Sequence, residues 1–199
     1  MTEKRDILWH QGLVTSTERQ TLLGYKPLSL WFTGLSGAGK STLAYTLERN
    51  LFTKGLACVV LDGDNLRHGL NRDLGFSQTD RRENIRRVAE VARLINDNGL
   101  LVITSFISPF RDDRAMAKAI IGESRFVEIY LSTSLEACEH RDTKGLYRKA
   151  RAKEIPEFTG ISSPYEPPEN AALTIDTATL SIDSCVATLV EMVINLLDA

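Results

Sequence analysis

The densest chemistry in the chain lies in Gly34-Leu35-Ser36-Gly37-Ala38-Gly39-Lys40-Ser41, with Thr42 following. The spacing is G-x-x-x-x-G-K-[ST], the pattern of a phosphate-binding loop. Glycines let successive backbone N–H groups turn inward around a phosphate chain without Cβ clashes. A helix starting at such a loop points its positive dipole end and unpaired donors at the same anion. On this pattern Lys40 reaches the β- and γ-phosphates and the Ser41 hydroxyl ligates Mg²⁺, with ATP as the expected cofactor. At about 7 % glycine the motif arises by chance in such a chain roughly once in a hundred. The strand-like Leu30-Trp31-Phe32 before it and the helix-compatible Leu43-Ala44-Tyr45-Thr46-Leu47 after it supply the required context. The loop is silent about the acceptor.

A second constellation, Asp62-Gly63-Asp64-Asn65-x-Arg67, follows the next apolar run. Its carboxylates suit Mg²⁺ or the proton of an attacking hydroxyl; as Asp, Gly and Asn are turn formers, a polar turn capping the next helix is the plainer reading. The third strand ends Ile103-Thr104-Ser105-Phe106 without a carboxylate. Magnesium-dependent phosphoryl transfer needs an acid near the loop, and Asp62 is the best-placed one.

Arg81 and Asn84 fall at the start of a predicted helix on its core-facing side, where they can meet a bound anion. Arg82 and Arg86 fall on a mixed-charge face that reads as solvated. Arg67 with Phe76 adds a second cation and a stacking surface. Guanidinium forks beside an aromatic ring suit a nucleotide bearing a phosphosulfate. Ser108, in Phe106-Ile107-Ser108-Pro109-Phe110-Arg111, lies just past the third strand. A covalent role would need an activating base, and none is evident, which favours direct transfer with Ser108 binding substrate. A serine preceding a turn proline is the alternative. Arg141, Lys144, Arg148, Lys149, Arg151 and Lys153 crowd a stretch flanked by Gly145 and Gly160. They read either as a solvated helix or as a lid that closes over ATP and excludes water.

These residues need a scaffold that collects them. Residues 1–28 read as an N-terminal arm with a short helix over 16–23 and Trp9 as an anchor. A helix follows the loop to about Lys54, with Gly55 as its stop. Ala57–Leu61, Leu100–Phe106, Phe126–Leu131 and Leu173–Asp176 read as further strands. Asp80, with Glu83 three residues on, resembles a capping box opening a helix to about Asn98. Further helices are expected from Asp112 to near Gly122, over Ser134–His140 and over Ile182–Leu197, with a basic irregular region reaching about Pro168. Strands alternating with helices predict an α/β, three-layer α/β/α, doubly wound parallel five-stranded sheet. Ligands of such sheets sit beyond the carboxyl ends of the strands, where Gly34–Ser41, Asp62–Arg67 and Phe106–Arg111 all fall.

Composition sets outer bounds. The 199 residues suit one domain, 29–199, carrying a lid at about 141–168. The 24 basic and 26 acidic residues, net charge −2, give no reason to expect nucleic acid or membrane binding. Cys58, Cys138 and Cys185 and the three histidines show no metal spacing. The amino terminus lacks a signal-like apolar stretch and no run approaches a bilayer span, so a cytoplasmic protein is expected.

With these residues assembled, the chain resembles the adenylylsulfate (APS) kinases of the P-loop kinase superfamily along nearly its whole length. The matching segments are W-H at 9–10, G-L-S-G-A-G-K-S at 34–41, D-G-D-N-L-R at 62–67 and D-R-R-E-N-I-R-R from 80. F-I-S-P-F-R at 106–111, R-D-T-K-G-L-Y at 141–147 and F-T-G-I at 158–161 complete the set. The resemblance implies a fold of the P-loop NTPase type and transfer of the ATP γ-phosphoryl to the ribose 3′-hydroxyl of adenosine 5′-phosphosulfate, giving PAPS. It implies that Asp64, Arg67, Phe76, Arg81, Asn84, Ile107, Ser108, Lys144 and Phe158 contact APS. Arg141 and Arg151 join the ATP site, Asp62 takes a metal or base role, and the protein forms homodimers, with ATP sulfurylase as a possible partner. Family descriptions place a phosphoserine intermediate at the position of Ser108. Where many relatives carry an acidic residue after the F-T-G-I segment, this chain has Ser162-Ser163. The rival readings are another small-molecule kinase and a nucleotide-dependent switch, the latter weakened because no N-K-x-D motif is present.

Overall fold

The computed structural model describes residues 7, 8 and 10–198; the anchor expected at Trp9 lies outside the described residues. Five parallel strands form one sheet in the order β2-β3-β1-β4-β5: β1 Ser29–Gly34, β2 Cys58–Asp62, β3 Leu101–Ser105, β4 Phe126–Leu131 and β5 Leu173–Ile175. The doubly wound, three-layer α/β/α arrangement is the one the alternation of patterns predicts.

Every residue of the central β1 is buried, and its side chains alternate between two cores. Leu30 and Phe32 join Leu43, Leu47 and Leu51 of α2 (Lys40–Thr53) and Val186, Leu189 and Val193 of α8 (Ile182–Leu197). Trp31 points the other way, to Ile85, Val88 and Ala92 of α4 (Gln78–Asp97) and Ala117 of α5 (Arg111–Ile121). There it stacks on Phe106 at 6.1 Å and meets Phe126 at 5.6 Å. This two-sided burial explains why the strands read as unbroken apolar runs.

The smaller elements are α1 (Ser16–Leu23), α3 (Gly63–Arg67), α6 (Leu135–Arg141) and α7 (Leu146–Arg151). Thr15 and Glu18 form a capping box on α1. No helix among the described residues is long and apolar enough to cross a membrane.

Four local expectations are corrected. The cap of α4 is Ser77, whose hydroxyl accepts from Asp80 N at 3.2 Å and donates to Asp80 Oδ2 at 2.8 Å. Asp80 is therefore the third helical residue, and Glu83 instead holds Arg86 and Arg87; these bonds lower its carboxyl to about 2. The residues after β2 are helical rather than a plain turn, and the basic stretch contains α7. Arg82 is more than solvated surface, since its Nη1 donates to the buried Asp113 Oδ1 at 3.0 Å.

Candidate active site

The loop Gly34–Ser41 leaves the carboxyl end of β1, where the chain turns into α2. A Cβ at Gly34 would lie 2.7 Å from the Leu131 carbonyl oxygen, so β4 passes too close for any side chain there. At Gly37, φ is +76° and a Cβ would lie 3.1 Å from the Cys138 carbonyl. These contacts press the loop between β4 and α6, leaving its curvature to backbone alone.

A polar brace supports the loop from behind. Thr177, just past β5, donates from its Oγ1 to Ala38 O at 2.9 Å. Arg141 donates from Nη1 to Gly37 O (3.1 Å) and Thr177 Oγ1 (2.8 Å), and from Nη2 to Thr177 O (2.6 Å). Thr133 completes the cluster through a 2.8 Å hydroxyl pair with Thr177, and Tyr147 Oη donates to Ser36 O at 2.8 Å. Lys40 is 8 % exposed and donates to Gly34 O at 2.9 Å and Leu35 O at 2.7 Å. Burial pushes its amine down to about 8, although Asp62 nearby favours the charged form. An arriving phosphate would give this cation a charged partner in place of two carbonyls.

Asp62 and Ser105 end their strands side by side, paired in register. Ser41 Oγ donates to Asp62 Oδ2 at 2.7 Å and lies 3.1 Å from Ser105 Oγ. The other carboxylate oxygen, Oδ1, accepts from Asp64 N and Asn65 N at 3.0 and 3.3 Å. One oxygen of Asp62 therefore caps α3, as the turn reading expects, while the other meets the loop serine. One carboxylate beside hydroxyls is an all-oxygen set, the hard donor type that Mg²⁺ takes together with substrate phosphates.

On the other flank, the Arg67 guanidinium lies 4.3 Å from the Phe76 ring centroid and donates to Leu74 O and Gly75 O, both at 3.0 Å. Arg81 donates to Phe76 O and Thr159 Oγ1, both at 2.7 Å, and to Glu157 O. Burial, then repulsion from Arg81, holds the Arg67 guanidinium below its ordinary range. Lys144 forms an ion pair with Asp64, tying the basic stretch to α3. Thus Asp64, Arg67, Phe76, Arg81 and Lys144 are linked through contacts of α3, α4 and the stretch after α6.

The remaining expected residues are placed differently. Asn84 is buried, its Oδ1 accepting from Asn71 Nδ2 at 2.9 Å. Phe158 lies in the core, edge-on to Tyr147 at 5.0 Å. Arg151 forms a bidentate pair with Glu139 at 2.8 and 2.9 Å and makes no bond to the loop. Ser108 is 2 % exposed, and its Oγ accepts from Trp31 Nε1 at 3.2 Å. Ser162 Oγ accepts from Phe158 N at 2.9 Å, closing the turn. An open cleft of about 590 Å³ lies between Leu35 and the 160–165 segment.

Sequence reasoning missed Ser105, Thr177 and Arg114. The rule that sites lie beyond strand carboxyl ends covers Ser105 and Thr177, had it been applied to β5 as well. Arg114 of α5, buried with its Nη1 on Ser108 O, carries no such signal; in the sequence it is one more basic residue in a helix.

Comparison with known proteins reaches the whole of this arrangement. A family model described as adenylylsulphate kinase matches residues 26–176. The adenylyl-sulfate kinase of Shewanella amazonensis is 58 % identical over 189 residues, covering 95 % of this chain and 96 % of that protein. That of Prochlorococcus marinus is 56 % identical over 191 residues, with coverage of 96 % and 95 %. Among solved structures, the Mycobacterium tuberculosis APS kinase CysC in complex with AMPPNP and APS superposes with a TM-score of 0.81 at 49 % identity. It covers 88 % of this chain and 99 % of that one.

Proposed function

The chain belongs to the adenylylsulphate kinase family, and from that premise we propose how its residues divide the work. The protein is a kinase that transfers the γ-phosphoryl of ATP to the 3′-hydroxyl of APS, releasing PAPS and ADP. Lys40 and the amides of Gly34–Thr42 take the β- and γ-phosphates, while Arg141 holds the loop's back at the ATP site. Asp62 and Ser41 hold Mg²⁺, with Ser105 beside them; the ion, when bound, neutralises charge on the phosphates. Because both oxygens of Asp62 are already engaged, its role is that of a metal ligand and helix cap. Arg67 and Arg81 take the phosphosulfate and Phe76 stacks on the adenine, with Asp64, Ile107 and Lys144 around the ribose. Residues of about 141–168 supply the cover, and Lys144 is its latch. Asn84 and Phe158 support this wall from within. We further infer an ATP–Mg²⁺-dependent homodimer working in the cytoplasm, with ATP sulfurylase as a candidate supplier of APS.

The observation that carries this reading is the shared carboxylate, Asp62, joining Ser41 of the donor loop to the helix that bears Asp64 and Arg67. The test is ATP turnover with APS against a panel of nucleosides, nucleotides and aminoglycosides. APS is expected to yield PAPS; if another acceptor is phosphorylated and APS is not, the assignment fails.

Transfer is direct. The Ser108 hydroxyl is buried and bonded to the Trp31 indole, without a carboxylate or imidazole on it, so nothing activates it as a nucleophile. Ser108→Ala should retain most of the turnover while losing about 1–3 kcal/mol of stability from the unpaired indole N–H. A collapse of kcat in a folded Ser108→Ala protein, with phosphate trapped on wild-type Ser108, would establish the covalent route instead.

A further inference from the structure

Arg114, on the first turn of α5, is 3 % exposed, and each of its three side-chain nitrogens donates a hydrogen bond. Nε donates to Glu128 Oε1 of β4 at 2.6 Å, Nη1 to Ser108 O at 2.7 Å and Nη2 to Glu166 O at 2.7 Å. Glu128 supplies the countercharge, leaving two arms of the fork to grip two backbone carbonyls from distant segments.

Each gripped carbonyl belongs to a wall of the site. Ser108 has φ +38°, a left-handed conformation that a non-glycine residue holds only when its surroundings impose it. Besides Arg114, Thr33 Oγ1 approaches Ser108 O at 3.3 Å and Ile107 O at 2.7 Å, and lies 2.8 Å from Tyr165 Oη. Glu166 N donates to Pro109 O at 2.8 Å, and Glu166 Oε2 accepts from Arg111 N at 2.8 Å. Tyr165 sits below the guanidinium, 6.0 Å from ring to Cζ, and stacks on Tyr130 at 5.9 Å. Tyr165 also lines the open cleft beside Leu35.

We propose that Arg114 is the positioning residue of the acceptor side: its fork locks the Ile107–Ser108 backbone to the Tyr165–Glu166 segment and thereby sets where the acceptor nucleotide rests. Arg114 touches neither substrate and acts through Ile107, Ser108 and Tyr165. A lysine would carry the charge without spanning three acceptors. A buried ion pair serving stability alone would treat the two substrates alike. The inference rests on the reading of this flank as the APS side.

The test is steady-state kinetics with each substrate varied in turn, on protein whose cooperative melt confirms folding. Arg114→Lys should raise KM for APS on the order of tenfold, lower kcat less, and leave KM for ATP within about twofold. Glu128→Ala removes the carboxylate that aligns the fork through Nε, loosening both carbonyl contacts, and should raise the APS KM about threefold with the ATP KM unchanged; it decides the matter if Arg114→Lys does not fold. The proposal is overturned if, in the folded variant, both KM values rise together or neither moves. Failure of the wild-type protein to phosphorylate APS would instead remove the functional reading, and wild type alone reports that.

Discussion

The donor and acceptor flanks of the site are built by opposite means. The phosphate loop is backed by short polar contacts from Thr177, Arg141 and Tyr147, and its lysine is buried. The acceptor flank is wet: Phe76 is 65 % exposed, and the Lys144–Asp64 pair stands in solvent. Its cations rest on backbone carbonyls and a carboxylate. On the proposed assignment, the donor loop keeps its backbone shape while phosphate replaces only the two carbonyls on Lys40, whereas APS displaces the partners of several cations at once. Preorganisation of the first kind favours precise placement of the phosphoryl group; exchange of the second kind makes affinity sensitive to charge and salt.

The contrast can be broken at its strongest point by Lys40→Ala. Losing a charge aimed at the transferring group should lower kcat by about 10²–10³-fold, with the fold kept, as a coupled ADP assay and a melting curve would read. Lys144→Ala probes the wet side. An exposed pair contributes only about 0–1 kcal/mol to stability, so the melting temperature should hold. The APS KM should nevertheless rise by roughly 10–100-fold, the worth of one hydrogen bond to a charged group, and the ATP KM should stay put. An equal effect on both substrates would erase the distinction between the flanks.

A gentler test uses pH. Lys40 sits at about 8 in the free loop, below its ordinary 10.5, and the protonated amine is the form that meets phosphate. Above pH 8 nucleotide binding must therefore take up a proton, and ATP affinity should fall by up to about tenfold per pH unit, staying flat below. Calorimetry in two buffers of different ionisation enthalpy would read that uptake. A flat ATP affinity from pH 7 to 9 would contradict it. Guanidiniums keep their charge throughout, so their share of APS binding should not follow the same curve.

How much of this was legible in the sequence depended on depth. β4 at Phe126–Leu131 and α8 at Ile182–Leu197 fall where the apolar patterns place them, because buried strands and amphipathic helices write their contacts into hydropathy. The start of α4 was misread because Ser77 and Asp80 are both good caps, and only the backbone decides which residue leaves the helix. Lys40 and Asp62 were conspicuous in the sequence, the first through the spacing of its motif and the second through its place at the end of an apolar run, although Asp62 also serves as the cap of α3. Thr177 and Arg114 were not. A threonine after a strand and an arginine in a helix are ordinary until the fold buries them against carbonyls from sequence-distant segments. The pairing of Arg151 with Glu139 was likewise invisible in the sequence, since it depends on how α6 and α7 meet.

Asp62 has one oxygen on the loop serine and the other on the first amides of α3, the helix that carries Asp64 and Arg67. It works as a pivot with two arms. If the two substrates bind as proposed, a rotation of this carboxylate that shortens one arm lengthens the other and so couples them. Thermodynamic linkage then fixes the symmetry of their dealings: whatever factor ATP imposes on the affinity for APS, APS imposes on the affinity for ATP.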